Sequence, residues 1–189
     1  MFKMRNFYVV FGAFFLMLIL QGCAKEAQTP ISGTKTPQAN QTNMTSQTTV
    51  SSQSATIKTA RGEFTIVLDS TAAPKTVENF IGKSKAGFYN DKIFHRVEDW
   101  VVQGGDPKSN GTGGGDQPTE LSDRNFAEGA VGVARGGDIK VSNDSQFFIC
   151  TTDCSFLNNQ YAYFGKVTSG MDVVKKTQIG DKIESIEIK

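Results

Sequence analysis

The sequence predicts a mainly β domain over residues 54–189, built either as a closed barrel or as a sandwich. Short runs rich in valine, isoleucine and phenylalanine recur along this stretch, and Gly, Asn and Asp separate them. Two segments within it carry apolar residues at helical spacing, and they lie far apart in the sequence. Many short strands with two isolated helices are typical of barrels and sandwiches.

The domain begins with a predicted hairpin followed by a helix. Residues 55–59 and 63–68 alternate apolar and polar side chains on either side of a glycine turn, which favours two paired strands. Pro74 suits the first position of a helix, and Gly87 suits its C-cap. One face of this helix carries residues at helical spacing: Val77, Phe80, Ile81 and Ser84. We expect the helix to cover one end of the sheet and assign it no chemistry.

Most of the remaining domain is predicted to be strand. The candidate strands cover residues 93–97, 100–103, 130–134, 146–151, 162–167 and 183–188. A second short helix fits residues 171–178, with Ser169 before it and Gly180 after it.

Residues 1–22 have the pattern of a signal peptide. Two basic residues precede an apolar run over residues 7–20, which is too short for a comfortable membrane span. Leu20-Gln21-Gly22-Cys23 resembles the bacterial lipobox, which implies cleavage before Cys23 and acyl chains, palmitate included, on that cysteine. Several acyl chains hold a protein firmly at a membrane, so we expect an extracytoplasmic lipoprotein of the cell envelope. An ordinary secretory signal or a single anchor helix is the alternative.

Residues 23–53 are interpreted as the lipidated cysteine and a flexible tether. Thr, Gln, Ser, Asn and Pro dominate this segment, and large apolar side chains are almost absent. Such a segment cannot bury enough surface to offset its ordering entropy. We expect it to space the domain from the membrane.

The charge balance excludes a nucleic-acid partner. The chain has 20 Lys and Arg against 19 Asp and Glu, for a formal charge of +1. Removing Lys3 and Arg5 with the signal peptide leaves 18 basic against 19 acidic residues. A nearly neutral chain lacks the basic footprint that nucleic acids require.

The residue inventory argues against metal, nucleotide and covalent chemistry. A single histidine excludes a multi-histidine metal site, and we expect no metal or other cofactor. The glycine loop at residues 110–115 lacks the Gly-Lys-Ser/Thr ending of a phosphate loop, and Asp116 replaces the third glycine of a dinucleotide fingerprint. The sequence also contains no nucleophile elbow.

The chemistry-bearing residues concentrate in residues 94–106, which hold the only histidine and the only tryptophan. The pattern indicates two short strands bent at Glu98-Asp99 and followed by a glycine turn. Arg96 lies at the edge of an otherwise apolar surface, where an unpaired buried charge is costly. This stretch alone fits equally well a surface arginine whose stem lies on the barrel wall.

Four motifs in order carry a family resemblance. They are residues 94–106, the glycine loop 110–115, the aromatic strand 145–150 and residues 161–167. From about Ser54 to the C-terminus, the set resembles the cyclophilin family of peptidyl-prolyl isomerases. The resemblance selects a closed antiparallel barrel of eight strands capped by two helices. It implies isomerisation of X–Pro bonds, and with the predicted lipid anchor we expect the substrates to be exported, unfolded proteins.

The resemblance also implies roles for individual residues. Arg96 matches the catalytic arginine, Gln103 the glutamine that holds it, and Phe148 the floor of the proline pocket. The other substrate-binding matches are Trp100, Val101, Gly111, Ala134, Arg135, Gln146, Phe156, Leu157 and Tyr161. His95 is interpreted as a structural neighbour of the arginine rather than as an acid or base.

The sequence departs from the family pattern at the pocket. The link from Arg96 to Gln103 is one residue shorter than usual, and Trp100 replaces a phenylalanine. Phe156 stands where cyclosporin-sensitive members have tryptophan, so we expect weak cyclosporin binding. Two other functions stay open: a chaperone or scaffold of the same fold that holds proline-containing chains without turnover, and a barrel that binds a small apolar ligand.

Cys150 and Cys154 remain after Cys23 is lipidated. An extracytoplasmic location permits a disulfide between them. Four extended residues span about 13 Å, whereas a disulfide needs Cα atoms within about 7 Å. Only a tight turn at Thr152-Asp153 would allow the bond, so two small buried thiols are the alternative.

Overall fold

The computed structural model describes residues 52–189. Within this range a single antiparallel sheet of nine strands is accompanied by two α-helices and one 3₁₀ helix. In chain order the elements are β1 (Ser54–Thr59), β2 (Gly62–Leu68), α1 (Pro74–Lys85), β3 (Phe94–Glu98), β4 (Val101–Gly104), β5 (Asp116–Pro118), β6 (Ala130–Arg135), β7 (Val141–Cys150), the 3₁₀ helix (Ser155–Leu157), β8 (Tyr163–Ser169), α2 (Met171–Lys176) and β9 (Ser185–Ile188). The predicted signal peptide, the lipidated cysteine and nearly all of the tether lie outside the described residues. None of the helices from residue 52 onward has the length and apolarity to cross a bilayer.

The sheet is a strongly curled half-barrel. Eight strands follow one another in the order β3-β4-β7-β6-β8-β2-β1-β9, and the short β5 pairs with β7. The predicted eight antiparallel strands and two helices are therefore confirmed, although the prediction slightly overstates how far the barrel closes. The end strands β3 and β9 do not pair along their length: β3 pairs with β4 and β9 pairs with β1. They are connected only near one end, by a bridge between Ile93 and Lys182 and by the Phe94 N–H donating to the carbonyl of Asp181 at 2.9 Å.

Helix α1 packs on the barrel through the face that its periodicity predicts. Val77, Phe80 and Ser84 are buried, whereas Ile81 is only partly buried. The Phe80 ring lies 5.2–5.7 Å from the rings of Tyr89, Phe147 and Phe164. Burying one such side chain contributes about 1.5–3 kcal/mol, so Phe80 anchors the helix.

The first turn of α1 is capped from outside the helix. Ala73 at the N-cap has no side chain that could accept a hydrogen bond. The carboxylate of Glu120 instead accepts the N–H groups of Lys75 at 3.1 Å and Thr76 at 2.8 Å. A carboxylate at this end satisfies free donors and interacts favourably with the helix dipole.

The buried apolar side chains form two clusters on opposite faces of the sheet. The barrel core lies between the sheet and the helices and includes Val102, Phe147 and Ile149. The second group, here called the pocket cluster, consists of Ala72, Val101, Phe126, Ala130, Phe148, Cys150, Cys154, Leu157 and Tyr163, with Trp100 and Tyr161 packed against it. Successive residues of a strand point to opposite faces, so β4 and β7 supply both clusters alternately.

A disulfide joins Cys150 and Cys154 within the pocket cluster. The chain turns directly after β7, which brings the two Cα atoms to 6.2 Å. Both residues are fully buried. The structure therefore answers the question that the sequence left open in favour of the bond, and the bond fixes the start of the segment that carries Leu157.

Candidate active site

A groove lies on the face of β3, β4, β7 and β6 that points away from the barrel core. Its volume is about 430 Å³, and it is lined by His95, Arg96, Trp100, Val101, Gln103, Asn110, Gly111, Ala134, Arg135, Phe148, Leu157 and Tyr161. A second groove of about 540 Å³ shares four of these residues and adds Gln146 and the glycine loop. The two grooves thus bring together every predicted catalytic and substrate-binding residue except Phe156, whereas the predicted lipidation site Cys23 lies outside the described residues.

The floor of the first groove is apolar and tightly supported. Phe148 is 4 % exposed and stacks on Phe126 with the ring centroids 5.7 Å apart, while Tyr161 meets it edge-on at 5.6 Å. A Cβ at Gly132 of β6 would lie 2.5 Å from Cζ of Phe148 and 2.7 Å from Cε1 of Phe126. The missing side chain at Gly132 therefore makes the space that the two stacked rings occupy.

Arg96 lies at the edge of this floor and is held from three sides. Its Nε and Nη2 donate to the two carboxylate oxygens of Glu98 at 2.7 and 3.1 Å. Its Nη1 donates to Oε1 of Gln103 at 3.2 Å. The guanidinium carbon also lies 5.0 Å from the ring centroid of Trp100, within the range of a cation–π interaction. Arg96 is therefore a partly exposed arginine whose head group is fixed by its neighbours, rather than one held by its stem alone.

The shortened link explains how Arg96 and Gln103 meet. Glu98 pairs with Val101, so Asp99 and Trp100 form a two-residue turn between β3 and β4. The register then places Arg96 directly opposite Gln103. Side chains of directly opposite residues in an antiparallel pair lie on the same face, so the hairpin itself brings the two together.

A chain of amides connects Arg96 to the glycine loop. Gln103 donates through Nε2 to Oε1 of Gln146 at 3.0 Å. Gln146 is buried and donates in turn to the carbonyls of Gly113 at 2.8 Å and Gly111 at 3.2 Å. Each of the two side-chain amides uses both its donor and its acceptor. The contacts of Gln146 with the glycine loop therefore fix the orientation of Gln103, whose Oε1 accepts from Arg96.

Sequence reasoning missed two residues that shape the glycine loop. The buried carboxylate of Asp106 accepts the backbone N–H groups of Lys108, Asn110 and Gly111 at 3.0, 2.7 and 2.6 Å. Burial alone would raise the pKa of Asp106, but these backbone bonds lower it below its usual value. Asn143 donates to the carbonyl of Gly113 at 3.0 Å and accepts the N–H of Gln146 at 2.8 Å. An Asp directly after two glycines was the available signal, whereas Asn143 gave none.

His95 is poorly suited to proton transfer. Both ring nitrogens are buried and have no hydrogen-bond partner among the described residues. Burial lowers the pKa of His95, with the charge of Arg96 acting in the same direction and that of Asp106 opposing it. The ring is therefore neutral at physiological pH, which agrees with its interpretation as a structural neighbour of the arginine.

The structure shows the contacts of two predicted substrate-binding residues, Arg135 and Phe156, which the sequence alone could not give. Arg135 stacks on Tyr161 at 4.5 Å and donates to the carbonyls of Gln160 and Gly136 at 2.8 Å each. Phe156 is 58 % exposed, does not line either groove, and meets the Trp100 ring edge-on at 5.2 Å. It therefore forms part of the rim beside the pocket rather than its wall.

The site offers a cation, amides and aromatic rings. Residues 52–189 contain no group of three or more His, Cys, Asp or Glu side chains arranged to hold a metal ion. The arrangement can bind a small apolar ring beside a fixed cation, with amide groups and open grooves on the flanks. This chemistry suits a reaction that breaks no covalent bond.

Comparison with known proteins identifies the family. Residues 54–188 match the family model described as cyclophilin type peptidyl-prolyl cis-trans isomerase/CLD. The chain therefore belongs to the cyclophilin-type peptidyl-prolyl cis–trans isomerases, the class of enzymes that interconvert the two forms of X–Pro bonds.

Curated relatives and solved structures agree with this assignment. A peptidyl-prolyl cis-trans isomerase of Helicobacter pylori (strain J99) is 38 % identical over 139 residues, which cover 70 % of this chain and 85 % of the relative. The isomerase cypE of Dictyostelium discoideum is 38 % identical over 130 residues, covering 66 % and 83 %. A crystal structure of a cyclophilin type isomerase from Cryptosporidium parvum superposes with a TM-score of 0.68 at 28 % identity, covering 73 % of this chain and 98 % of that one.

Proposed function

We propose that this isomerase acts on proline-containing segments of exported, unfolded proteins, and that Arg96 stabilises the twisted prolyl nitrogen. The observation that carries the proposal is the guanidinium of Arg96, which Glu98 and Gln103 hold at the edge of the groove above Phe148. A pyrrolidine ring on that apolar floor would have the cation beside its nitrogen.

The energetics set how much Arg96 must supply. Amide resonance gives the peptide bond a rotation barrier of about 18–20 kcal/mol. In the twisted transition state the prolyl nitrogen becomes pyramidal and regains a lone pair, so a donor aimed at it acts on the transition state alone. A hydrogen bond to a charged group is worth about 1.5–3 kcal/mol, whereas a million-fold acceleration needs about 8 kcal/mol. The preorganised groove and the anchoring of both flanks of the peptide supply the remainder.

The end of β6 beside the pocket is a candidate site for an extended peptide, because β8 pairs with β6 only as far as Gly132. The register of β6 against β7 shifts between Val133 and Arg135, and Ala134 has no partner in that pairing. We infer that the backbone at Ala134 and Arg135 pairs with the substrate. One crystal structure of the related Cryptosporidium parvum isomerase was determined in the presence of the dipeptide Ala-Pro, which supports proline-containing peptides as ligands.

Removal of the Arg96 guanidinium tests the mechanism. In a proline-limited refolding assay and with a short X–Pro peptide, Arg96→Ala should lower kcat/KM by about 10- to 100-fold, the value of one charged hydrogen bond. Arg124→Ala is the matched control, because Arg124 is similarly exposed and its Nε also donates to a carboxylate, that of Asp69, at 2.7 Å. An unchanged Arg96→Ala variant would refute the mechanism, and a wild-type chain that leaves the slow phase unaccelerated would favour the non-catalytic chaperone.

The location follows from the predicted lipobox and is likewise a proposal. Cells supplied with labelled palmitate should incorporate the label into the wild-type chain, and Cys23→Ala should abolish incorporation and release the protein from membranes. Label that persists in Cys23→Ala would contradict lipidation at this residue. The test is independent of isomerase activity.

Weak cyclosporin binding is proposed from Phe156. Its ring is mostly exposed and packs on Trp100, so it lacks the indole that sensitive family members present at the matching position. Titration of the inhibitor into the X–Pro peptide assay should give weak inhibition, and nanomolar inhibition would contradict this expectation.

A further inference from the structure

Glu98 makes the most extensive contact with Arg96 although nothing in the sequence marked it as a site residue. The two residues are two apart on β3, so their side chains lie on the same face of the strand. Both carboxylate oxygens are engaged, Oε1 by Nε at 2.7 Å and Oε2 by Nη2 at 3.1 Å. This is the planar two-bond arrangement in which a carboxylate fixes the orientation of a guanidinium as well as its position.

Counting donors shows what the contact leaves free. A guanidinium has five N–H groups. Glu98 occupies two of them along the Nε edge, and Gln103 occupies one on Nη1. One N–H on each terminal nitrogen remains. These two donors are held in a fixed plane, with the Trp100 ring lying 5.0 Å from the guanidinium carbon.

The other two charged groups near the arginine, Asp106 and Arg135, are engaged elsewhere. The carboxylate of Asp106 accepts three backbone N–H groups of the glycine loop. Arg135 donates to backbone carbonyls and stacks on Tyr161. His95 has neither ring nitrogen exposed. Among the described residues, Glu98 is the one carboxylate that forms an ion pair with Arg96.

We propose that Glu98 is a positioning residue for the reaction: it holds the guanidinium of Arg96 so that the two free donors face the prolyl nitrogen. This inference rests on the proposed role of Arg96. An unrestrained arginine loses much side-chain freedom when it meets the transition state, whereas a clamped one has lost it beforehand. The carboxylate of Glu98 also partly neutralises the positive charge of Arg96 that the substrate meets. In our proposal the gain from orienting the guanidinium is larger than the cost of this weaker charge.

The location of the pair predicts an effect on turnover rather than on stability. The Arg96 side chain is 40 % exposed and that of Glu98 is 46 % exposed. Ion pairs this exposed contribute little to the free energy of unfolding. The same restraint acts directly on the catalytic donors, so its loss should appear in kcat.

Glu98→Gln is the sharpest test, because it keeps the shape of the side chain and removes the charge and one acceptor. With a short X–Pro peptide, kcat should fall about 1.4- to 5-fold, the fold-change that corresponds to the measured range of one exposed ion pair, while KM changes by less than about twofold. Glu98→Asp, which keeps the charge but is shorter, should lie between Glu98→Gln and the wild type. Glu187→Gln is the matched control, since Glu187 forms an exposed ion pair with Lys58 at 2.7 Å on the edge strand β9. It should leave kcat unchanged.

Two further measurements separate this inference from the mechanism on which it rests. In an Arg96→Ala background, Glu98→Gln should not lower kcat further, because the guanidinium that Glu98 orients is already absent. The effects of the two substitutions are then not additive, as expected for residues in contact. The ¹⁵N NMR signal of the Arg96 Nε–H should show slower exchange with water in the wild type than in Glu98→Gln. An unchanged or higher kcat in Glu98→Gln, with Arg96→Ala still impaired, overturns the positioning role alone. An unimpaired Arg96→Ala overturns both proposals.

Discussion

The barrel core and the pocket cluster are built from alternate residues of the same strands, yet they serve different purposes. In β7, Phe147 and Ile149 enter the barrel core, while Phe148 and Cys150 enter the pocket cluster. The barrel core is enclosed between the sheet and α1. The pocket cluster is completed by residues of loops and of the 3₁₀ helix, among them Ala72, Phe126 and Leu157, and three of its members line the open groove: Val101, Phe148 and Leu157.

The difference teaches that the site is an incompletely covered second core. Both clusters bury their side chains almost entirely: Phe147 is 1 % exposed and Phe148 is 4 % exposed. Burial therefore does not distinguish an aromatic residue of the barrel core from one that lines the groove. What distinguishes them is which face of the strand they occupy and what lies beyond that face.

The largest predicted effect comes from truncating the two neighbouring phenylalanines. Phe147→Ala should lower the free energy of unfolding by about 3–5 kcal/mol, the usual cost of removing a core aromatic side chain, because its ring packs against Phe80, Tyr89 and Phe94. Phe148→Ala should cost less stability but lower kcat/KM by about 10- to 100-fold, since the pocket loses its floor. Urea denaturation and peptide kinetics measure the two quantities. Equal losses of stability would contradict the distinction between the clusters.

Removing the disulfide should loosen the pocket cluster and spare the barrel core. A bridge across so short a loop contributes about 2 kcal/mol on the chain-entropy model. Cys150→Ala/Cys154→Ala should therefore lower the free energy of unfolding by about this amount and raise KM, because the groove residue Leu157 lies on the 3₁₀ helix that begins right after Cys154. Amide hydrogen exchange should increase around residues 150–157 and remain unchanged in α1. Increased exchange in α1 would show that the two clusters are not independent.

Filling the space at Gly132 should close the pocket from beneath. Gly132→Ala places a methyl group against Phe148 and Phe126, and overpacking of this kind costs about 1–3 kcal/mol. We expect the Phe148 ring to move towards the groove, so that KM for an X–Pro peptide rises. Gly82→Ala is the control, since Gly82 lies on α1, lines neither groove, and a Cβ there meets nothing within 4 Å. If Gly132→Ala keeps the wild-type KM, the Phe148 ring does not move into the groove and the prediction is wrong.

The smallest effect concerns the polar side of the groove. The pKa of Asp106 is lowered in the folded state, so its contribution to stability is present above the ordinary aspartate pKa and is lost as the pH falls through the lowered value. Asp106→Asn should be less stable than the wild type at neutral pH, and the difference should narrow in acid. Urea denaturation at several pH values measures it. A difference that stays constant with pH would contradict an ionised Asp106.

The sequence predicted the elements whose local pattern matches their final environment. The hairpin of β1 and β2 and the helix α1 follow from alternation, helical spacing and turn residues. The strand β5 was missed because its three residues, Asp116 to Pro118, carry no apolar pattern. The first half of β7 was missed because Ser142, Asn143 and Asp144 are polar, and they form hydrogen bonds with residues outside their own strand.

The candidate site was predicted where a motif carried it and missed where distant contacts define it. Arg96, Gln103 and Phe148 come together as the resemblance implied. Glu98 gave no signal, because an exposed glutamate on a strand is ordinary until its partner is located. Glu120 caps a helix that begins 46 residues earlier in the chain, and no local pattern encodes such a contact. Closure of the barrel was overestimated because the family resemblance gives the number of strands and leaves their end-to-end pairing undefined.

The strict alternation along β7 has a consequence for how this chain tolerates insertions and deletions. One residue added or removed between Phe147 and Phe148 would exchange the two faces of everything that follows in the strand, placing a groove residue in the interior and an interior residue in the groove. The turn at Asp99 and Trp100 is free of this restriction, because a change in its length leaves the Arg96 and Gln103 pair in register. Length variation in such proteins should therefore accumulate at that turn and be absent from β7.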